Sequence, residues 1–301
     1  MPMNESQKTN GQLSPAPPLS KESHTPSETV ASPHQYRKFF SIREKLVLST
    51  SIILGVIPIV VLLSLWFLLT YGIAETRIIS PVILPSPIEV IGSLKTLWFQ
   101  AEFSRSLVAS FLRVLCGFLI SSIIAFPLAL MMGAFTKVNA LFEPSSIFLA
   151  YLPIPALVPL TMSIFGIGEM QKIMFLALAF FVYLVPLLVK AVDEVDNVYL
   201  QTAYTLGARR KEIVFKVLLP VALPKIINAM RLGFGVGWTY IILAEMVAAD
   251  RGLGQIIIIA QRRGPREHIY LVLLSIVIIA YSTDKLWVKL HDTLFPYMRA
   301  K

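Results

Sequence analysis

The sequence predicts an all-α integral membrane protein that crosses a bilayer about six times. Of its 301 residues, 55% are hydrophobic and only 15% are charged, and the mean hydropathy is +0.70. Soluble domains are nearer a quarter charged, whereas apolar runs of about 20 residues are long enough to cross a bilayer core of ~30 Å. The net charge of +9 comes mostly from basic residues beside these runs. Such a distribution is typical of the cytoplasmic flanks of membrane helices rather than of a nucleic-acid-binding surface.

The first 41 residues are predicted to form a disordered cytoplasmic tail, and residues 42–301 the membrane domain. Up to about Pro33 the tail is rich in Ser, Pro, Thr and Asn, so it buries too little apolar surface to offset the entropy of ordering. It lacks the apolar segment that a signal peptide requires after its start. Four basic residues precede the first span and are expected on the cytoplasmic side, namely Arg37, Lys38, Arg43 and Lys45.

Six apolar runs are the predicted spans, at about residues 46–69, 107–135, 146–165, 173–189, 226–249 and 269–286. Between the first two, residues 81–90 are expected outside the membrane, where Ser80 or Ser86 would cap a short helix that runs toward Trp98. Arg113 lies near the start of the second span, so we expect its side chain to snorkel to the membrane interface.

Six spans place both termini and the loop between the fourth and fifth spans on the same side, and most basic residues lie there. The positive-inside rule makes this side cytoplasmic. Residues 250–268 should then lie outside, although they carry Arg251, Arg262, Arg263 and Arg266. Either the span count is off by one at this segment, or the external mouth is basic. A basic mouth would attract anions or serve as a docking rim for another protein, and we favour the docking rim.

The loop from about residue 193 to residue 220 carries the most informative pattern, which reads QTAYTLGARRKEIVFKVLLP from Gln201 onward. Gly207 permits a backbone turn that a bulkier residue would resist, and Pro220 is suited to a helix start. Polar residues at the beginning of the loop are suited to capping a helix, namely Asp193, Glu194, Asp196 and Asn197. A first helix is expected to share one apolar face among Leu200, Ala203, Tyr204 and Leu206.

Two short helices joined at an angle would make this loop a rigid knob. Such a knob fits a cleft on another protein, in the way that helix-in-groove contacts form. The alternative is an amphipathic connector that lies on the membrane surface.

The loop resembles the cytoplasmic coupling loop of ABC importer permeases, which receives force from a separate ATPase. The family pattern is Glu-Ala-Ala, three residues, Gly, nine residues, and Ile-x-Leu-Pro. Gln201 and Thr202 replace the Glu and the first Ala here, but the spacing is kept. The resemblance implies a set of ATPase-coupling residues, namely Gln201, Thr202, Ala203, Gly207, Ala208, Arg209, Arg210, Glu212, Leu219 and Pro220.

Further segments look like the nitrate, sulfonate, taurine and bicarbonate branch of these permeases. They are LPSPIEV at 84–90, SLVASFLRVLCGF at 106–118, FGIGEMQKI at 165–173, GWTYIILAEM at 237–246 and RGLGQII at 251–257. The resemblance implies a type I ABC importer permease in a bacterial inner membrane. It also implies a second copy or a paralogue, two ABC ATPase subunits that bind the ATP and Mg²⁺, and an external substrate-binding protein. The implied substrate is nitrate or nitrite, bicarbonate, an alkanesulfonate or taurine.

Glu245 is the sharpest single candidate for a pathway or gate residue, because an ionised carboxylate in hydrocarbon is costly and should face protein or water. We expect it to pair with an arginine, for example Arg251; an interfacial carboxylate already in water is the alternative. Gly233 and Gly237 are four residues apart on one helical face and permit close helix approach.

The other pathway candidates are hydroxyl, aromatic and proline residues. Thr239 and Tyr240 offer hydroxyl donors to an anion, whereas for Trp238 we favour packing at the membrane interface. Pro153, Pro155 and Pro159 remove backbone donors within the third span, so they indicate either a pore-lining bend or a kink that neighbouring helices accommodate.

The sequence contains no Gly-x4-Gly-Lys-Ser/Thr phosphate loop, no catalytic triad, and no Cys/His metal spacing. We therefore expect no enzymatic activity, no metal and no cofactor in this chain. Two other classes compete with the importer. An ion-coupled secondary transporter would need intramembrane acid–base groups, for which Glu245 is the only candidate, and a membrane scaffold would transport nothing.

Overall fold

The computed structural model describes residues 48–72, 77–100, 102–247 and 250–300, and these residues are built from helices and short connections. The predicted tail, 1–41, and the four basic residues that precede the first span, Arg37, Lys38, Arg43 and Lys45, lie outside the described residues. The α-helices are α1 (Leu48–Leu69), α2 (Pro87–Gln100), α3 (Phe103–Ala134), α4 (Thr136–Ala150), α5 (Leu157–Phe165), α6 (Glu169–Asp193), α7 (Asn197–Thr205), α8 (Arg210–Glu212), α9 (Leu219–Met246), α10 (Leu253–Arg263) and α11 (Arg266–Leu294). The chain divides into two units, Met1–Val56 and Ile57–Lys301. The second unit contains helices α2 to α11.

Five helices are long and apolar enough to cross a membrane, and a bent pair brings the number to as many as six. The five are Ser49–Leu69, Phe103–Ala134, Glu169–Asp193, Arg210–Met246 and Arg266–Leu294. The bent pair consists of Thr136–Ala150 and Ile154–Phe165, which meet at an angle of 84°. This count agrees with the predicted six.

The predicted third span, 146–165, is wrong in its outline. Its first arm begins ten residues earlier, at Thr136, and the break falls just before Pro153. Pro155 lies in a 3₁₀ turn and Pro159 in the first turn of α5. Backbone N–H groups at these positions have no helical partner, so these two prolines start the second arm rather than break it.

Helices α3, α6 and α9 form the core of the bundle, and glycines set their spacing. Gly117 of α3 lies so close to α6 that an added Cβ would be 2.7 Å from the Leu176 Cβ. On α9, Gly233 lies against Leu184 of α6 and Gly237 against Phe180 of α6. Small residues let membrane helices approach closely enough for their backbones to pack. The expected close approach of another helix at Gly233 and Gly237 is therefore present.

The two ends of this bundle carry different features. At one end, α3 and α6 begin and α9 ends, and we call it the network end. The opposite end holds residues 193–220, and we call it the loop end. A continuous helix, Arg210–Met246, joins them. Helix α10 has 11 residues, roughly 16 Å, which is too short to cross a bilayer core. The arginine-rich residues 250–268 therefore lie at the end opposite the loop, as the second of the two sequence alternatives requires.

Helix α2 begins as the sequence predicts, with Ser86 as its cap. The Ser86 hydroxyl accepts a hydrogen bond from the Glu89 backbone N–H at 3.3 Å, and the Ser86 N–H donates to the Glu89 carboxylate at 2.8 Å. This reciprocal arrangement is a capping box. The Arg77 guanidinium also binds the Glu89 carboxylate, at 2.8 and 3.1 Å, and lowers the pKa of Glu89 to about 2.

Candidate functional site

The predicted coupling loop begins with a capped helix, α7. The Asp196 carboxylate accepts a hydrogen bond from the Val198 N–H at 3.0 Å, so Asp196 is the N-cap that the sequence predicts. The Lys225 ammonium binds the Glu194 backbone carbonyl at 2.7 Å and the Glu194 carboxylate at 3.2 Å. These contacts fix the start of the loop to the first turns of α9.

Gly207 ends α7 in a left-handed conformation, with φ of +79°. The Ala208 N–H donates to the Ala203 carbonyl at 3.0 Å, five residues back, which is the Schellman arrangement of a helix C-terminus. An added Cβ at Gly207 would meet no atom within 4 Å. The glycine is therefore required by the backbone conformation and not by lack of space.

After the turn, a second helical stretch starts with a cap from Glu212 and continues without interruption into α9. The Arg209 N–H donates to the Glu212 carboxylate at 3.0 Å. Residues Ile213–Leu218 form a π-helical turn, in which the Leu219 N–H donates to the Val214 carbonyl. Pro220 is the second residue of α9, at the helix start that the sequence predicts, and the π-helical turn before it makes the helix continuous from Arg210 to Met246. Pro220 has no N–H to give to an α-helical ladder, and the wider turn lies directly before it.

The faces of α7 differ from the sequence prediction. Ala203 is buried and Leu200 half-buried, but Tyr204 is 57% and Leu206 82% exposed. The four do not share an apolar face, because α7 ends at Thr205 and Leu206 lies in the turn beyond it. The loop therefore presents large apolar side chains outward, namely Val198, Tyr199, Tyr204, Leu206 and Phe215.

Most of the predicted coupling residues lie on the surface of this loop. Gln201, Thr202, Gly207, Arg209, Arg210 and Pro220 are exposed, and Ala208, Glu212 and Leu219 are half-buried. Only Ala203 of the set is buried, at 7% exposure. The exposed members are available to another protein, whereas Ala203 packs inside the loop.

At the network end, Glu245 is buried in a dense set of hydrogen bonds. Its carboxylate accepts from the Arg113 guanidinium at 2.6 Å, from the Ser110 hydroxyl at 2.7 Å and from the Gly254 N–H at 2.9 Å. Its side chain is 0% exposed. The carboxylate lies at the start of α10, where it complements the positive helix N-terminus. Residue 252 must be a glycine because an added Cβ would clash with this carboxylate.

Glu169 supplies a second carboxylate to this hydrogen-bond network. The Arg113 guanidinium binds Glu169 through two hydrogen bonds of 2.6 and 2.7 Å, and it donates to the Arg251 carbonyl at 2.7 Å. The buried Lys172 ammonium also binds Glu169, at 3.0 Å. Two cations and two carboxylates thus join α3, α6, α9 and the start of α10. We call these four residues, Arg113, Glu169, Lys172 and Glu245, the ion cluster.

The expected pairing of Glu245 with an arginine is present, but the partner is Arg113 and not Arg251, whose guanidinium lies 4.0 Å from Glu102. The prediction that Arg113 snorkels is wrong, because Arg113 is 5% exposed and its donors are taken by protein. Glu169 and Lys172 were missed altogether. The available signal was that charged residues in membrane-spanning helices lower their burial cost by pairing.

The predicted pathway residues of α9 face different ways. Trp238 is 3% exposed and its ring centroid lies 6.1 Å from that of Phe111, so Trp238 packs against an aromatic neighbour, as favoured from the sequence. Thr239 is exposed, and the Tyr240 hydroxyl lies 2.9 Å from the hydroxyl of Tyr183 on α6. Tyr183 was not among the predicted pathway residues. The pathway role of all these residues stays a prediction.

The four arginines of the predicted docking rim all lie at the network end. Arg251, Arg262 and Arg263 are exposed and Arg266 is half-buried. A cavity of about 600 Å³ opens beside the ion cluster and is lined by Arg113, Cys116, Glu169, Asp250 and Arg251 among others. Among the described residues, no group of His, Cys, Asp and Glu could hold a metal ion.

Comparison with known proteins identifies the family. Residues 117–284 match the family model of the binding-protein-dependent transport system inner membrane component. The chain belongs to this family. It is 34% identical to the taurine transport system permease protein TauC of Escherichia coli (strain K12), over 69% of this chain and 76% of TauC. It is 30% identical to the aliphatic sulfonates transport permease protein SsuC of the same organism, over 72% of this chain and 83% of SsuC.

A solved structure supports the fold. The inward-facing MetNI methionine ABC transporter matches 64% of this chain and 96% of its own chain, with a TM-score of 0.59 and 20% identity. The predicted resemblance to an ABC importer permease is therefore confirmed, and the chain is a membrane-embedded transport subunit. This membership excludes the scaffold and the secondary transporter. The matched residues include the coupling loop, α6 and α9.

Proposed function

We propose that this chain, paired with a second copy or a paralogue, lines the pathway of an ATP-driven importer of small sulfonates. One observation carries the proposal: the last part of the exposed loop, from Arg210, and Glu245 of the ion cluster lie at opposite ends of the same continuous helix, Arg210–Met246. A push on Arg209 or Arg210 moves this helix and with it Glu245. Rigid-body motion of this kind is a standard route between inward- and outward-open states.

Two ABC ATPase subunits are the proposed source of the push. They bind the ATP and Mg²⁺, because this sequence has no phosphate-binding loop, and this chain itself carries no cofactor and no enzymatic activity. The outward-facing Tyr204 and Leu206 offer them an apolar contact. Gln201, Thr202, Arg209 and Arg210 surround that contact with polar groups. An apolar centre with a polar rim is the usual anatomy of a protein interface.

The loop end is proposed to be cytoplasmic, with both termini on that side, and the network end external. An external substrate-binding protein would dock on the rim of Arg251, Arg262, Arg263 and Arg266. The substrate class follows from the relatives named for taurine and aliphatic sulfonates. A sulfonate is a small anion, and the basic rim attracts it electrostatically.

The environment of Glu245 supports ATP coupling over ion coupling. A carboxylate that couples transport to protons must reach water in at least one state. Glu245 is instead enclosed by Arg113, Ser110 and the backbone of α10. Such surroundings are typical of a residue that stabilises the fold rather than of one that carries protons.

The test is uptake of radiolabelled taurine by vesicles that contain this chain, its candidate ATPase and its binding protein. We expect accumulation that requires internal ATP and the binding protein, and that unlabelled alkanesulfonates inhibit. Uptake that follows an ion gradient without ATP would contradict the proposed mechanism. ATP-dependent uptake of nitrate with no response to sulfonates would contradict the proposed substrate.

A further inference from the structure

Helices α6 and α9 expose a strip of polar and small residues along their membrane-spanning length. Tyr183, Pro186 and Lys190 of α6 are exposed at helical spacing, and so are Asn228, Gly235 and Thr239 of α9, with the apolar Leu232, 54% exposed, between Asn228 and Gly235. Half-buried Tyr240 lies beside Thr239. We call the seven residues other than Leu232 the polar strip.

Other exposed helix faces are suited to lipid, and the polar strip is not. On α3 the outward side chains include Leu112, Leu119, Ile123 and Ile124, with exposures from 50% to 72%. Polar groups within a bilayer face protein or a water-filled cavity, because hydrocarbon leaves their hydrogen bonds unmade. The polar strip is therefore a side of the subunit that faces protein or water rather than lipid.

The centre of the strip is the pair of phenols from Tyr183 and Tyr240, whose hydroxyl oxygens lie 2.9 Å apart. Tyr183 lies roughly 21 Å from the first residue of α6 and roughly 15 Å from its last, at 1.5 Å per residue. Both ends of the helix are thus distant from the pair. When one phenol donates to the other, the second O–H remains free to donate outward.

Thr239 supplies a further donor beside the pair. A threonine in a helix commonly bonds a carbonyl of the preceding turn, as Thr161 bonds the Leu157 carbonyl at 2.9 Å. The Thr239 hydroxyl makes no hydrogen bond within the part of the chain that the structure describes. Gly235, one turn before it, leaves open space.

We propose that Tyr183, Tyr240 and Thr239 form a contact site for an oxyanion, such as a sulfonate, in the middle of the pathway. The site rests on the proposed function, since it needs the strip to face the pathway. Neutral hydroxyls suit a transient site: they donate hydrogen bonds to the anion but hold it less strongly than a buried cation does. A pathway requires binding that is strong enough for entry and weak enough for release.

The strip continues from this site toward the loop end. Lys190 and Asn228 line a cavity of about 520 Å³ there, together with Lys225 and Arg231. Lys225 is paired with Glu194 and Arg231 with Asp284. Lys190 forms no ion pair within the described residues, so its charge is available to an anion that leaves the hydroxyl site.

A thiol-labelling experiment tests the site without relying on any transport substrate. Thr239→Cys is introduced into a Cys116→Ser background, because Cys116 is exposed. The assembled transporter is labelled in membranes with a methanethiosulfonate that carries a sulfonate, and separately with one that carries a trimethylammonium group. We expect Thr239→Cys to react with the sulfonate reagent and Ile123→Cys, on the apolar face of α3, to remain unlabelled.

The hydroxyl pair is then removed by Tyr183→Phe and Tyr240→Phe together. We expect the ratio of sulfonate to trimethylammonium labelling at Thr239→Cys to fall about tenfold, the size expected for a lost hydrogen bond to a charged group. The control is Tyr281→Phe, which removes a hydroxyl from an exposed residue of α11. An unchanged ratio, or labelling of Thr239→Cys no faster than that of Ile123→Cys, would overturn the site.

Taurine uptake by the same double variant separates this site from the proposed function. If wild type accumulates taurine with ATP and the double variant matches Tyr281→Phe, the site is wrong and the importer stands. If wild type shows no ATP-dependent uptake of taurine but the labelling ratio falls, the proposed substrate or energy source is wrong, whereas the oxyanion site in the pathway stands.

Discussion

The Glu245 carboxylate lies 2.6 Å from the Arg113 guanidinium, although the two residues are 132 positions apart in the chain. Each is a charge inside a membrane-spanning helix, and each would be costly in a bilayer alone. Ser110 and the Gly254 N–H occupy further lone pairs of the carboxylate. The contact joins α3, α9 and the N-terminus of α10, so it fixes the network end of the bundle.

Removing Arg113 should destabilise the protein strongly. Arg113→Ala leaves two carboxylates without their shared cation, and breaking a buried pair costs about 3–5 kcal/mol. Unfolding by a denaturing detergent in mixed micelles measures this change in free energy. The control is Arg105→Ala, whose pair with Glu102 is exposed and contributes about 0–1 kcal/mol. Equal stability of the two variants would contradict a structural role for the cluster.

Two glycines of α9 should respond oppositely to alanine. At Gly237 an added methyl group meets the Phe180 ring of α6, whereas at Gly235 it meets nothing within 4 Å. We expect Gly237→Ala to lower the free energy of unfolding by about 1–3 kcal/mol through overpacking. Gly235→Ala should leave it unchanged or raise it by about 0.5–1 kcal/mol, because alanine favours the helix. The same detergent titration measures the free energy of unfolding of both variants. A larger loss in Gly235→Ala than in Gly237→Ala would refute the packing of α9 on α6.

The Arg77–Glu89 pair should make stability depend on pH in the acid range. Arg77 holds the pKa of Glu89 at about 2, below its usual 4.5. A carboxyl whose pKa is lowered by folding contributes stability that is full above its unfolded pKa and is lost as the pH falls toward the folded value. The advantage of wild type over Glu89→Gln should therefore be constant above about pH 5 and shrink from about pH 4.5 toward pH 2.

The Glu89 side chain is 40% exposed, so solvent screening keeps the contribution small, about 1 kcal/mol or less. Thermal unfolding of both proteins at several pH values measures the difference. A stability difference between wild type and Glu89→Gln that stays constant down to about pH 3, or grows as the pH falls, would show that the Arg77–Glu89 pair does not cause this difference.

The sequence predicts those parts of the structure that depend on nearby residues. Span lengths follow from apolar runs, and Asp196, Gly207 and Ser86 act as caps or turns through hydrogen bonds to residues at most five positions away. The partner of Glu245 could not be chosen, because Arg113 and Arg251 are equally charged and only the fold brings Arg113 near. The outward direction of Leu206 was missed because it depends on where α7 ends. Tyr183 was missed because a single tyrosine in an apolar helix is ordinary until its neighbour is known.

The central claim is that the loop carries the ATPase stroke, and two substitutions at Gly207 test it most directly. Its φ of +79° is accessible to asparagine but strained for a β-branched residue, and an added Cβ meets no atom within 4 Å there. In vesicles with the candidate ATPase and binding protein, we measure ATP hydrolysis and taurine uptake together. We predict that Gly207→Asn retains both, and that Gly207→Val assembles normally but loses uptake and binding-protein-stimulated hydrolysis. Full coupled activity of an assembled Gly207→Val transporter would contradict the claim.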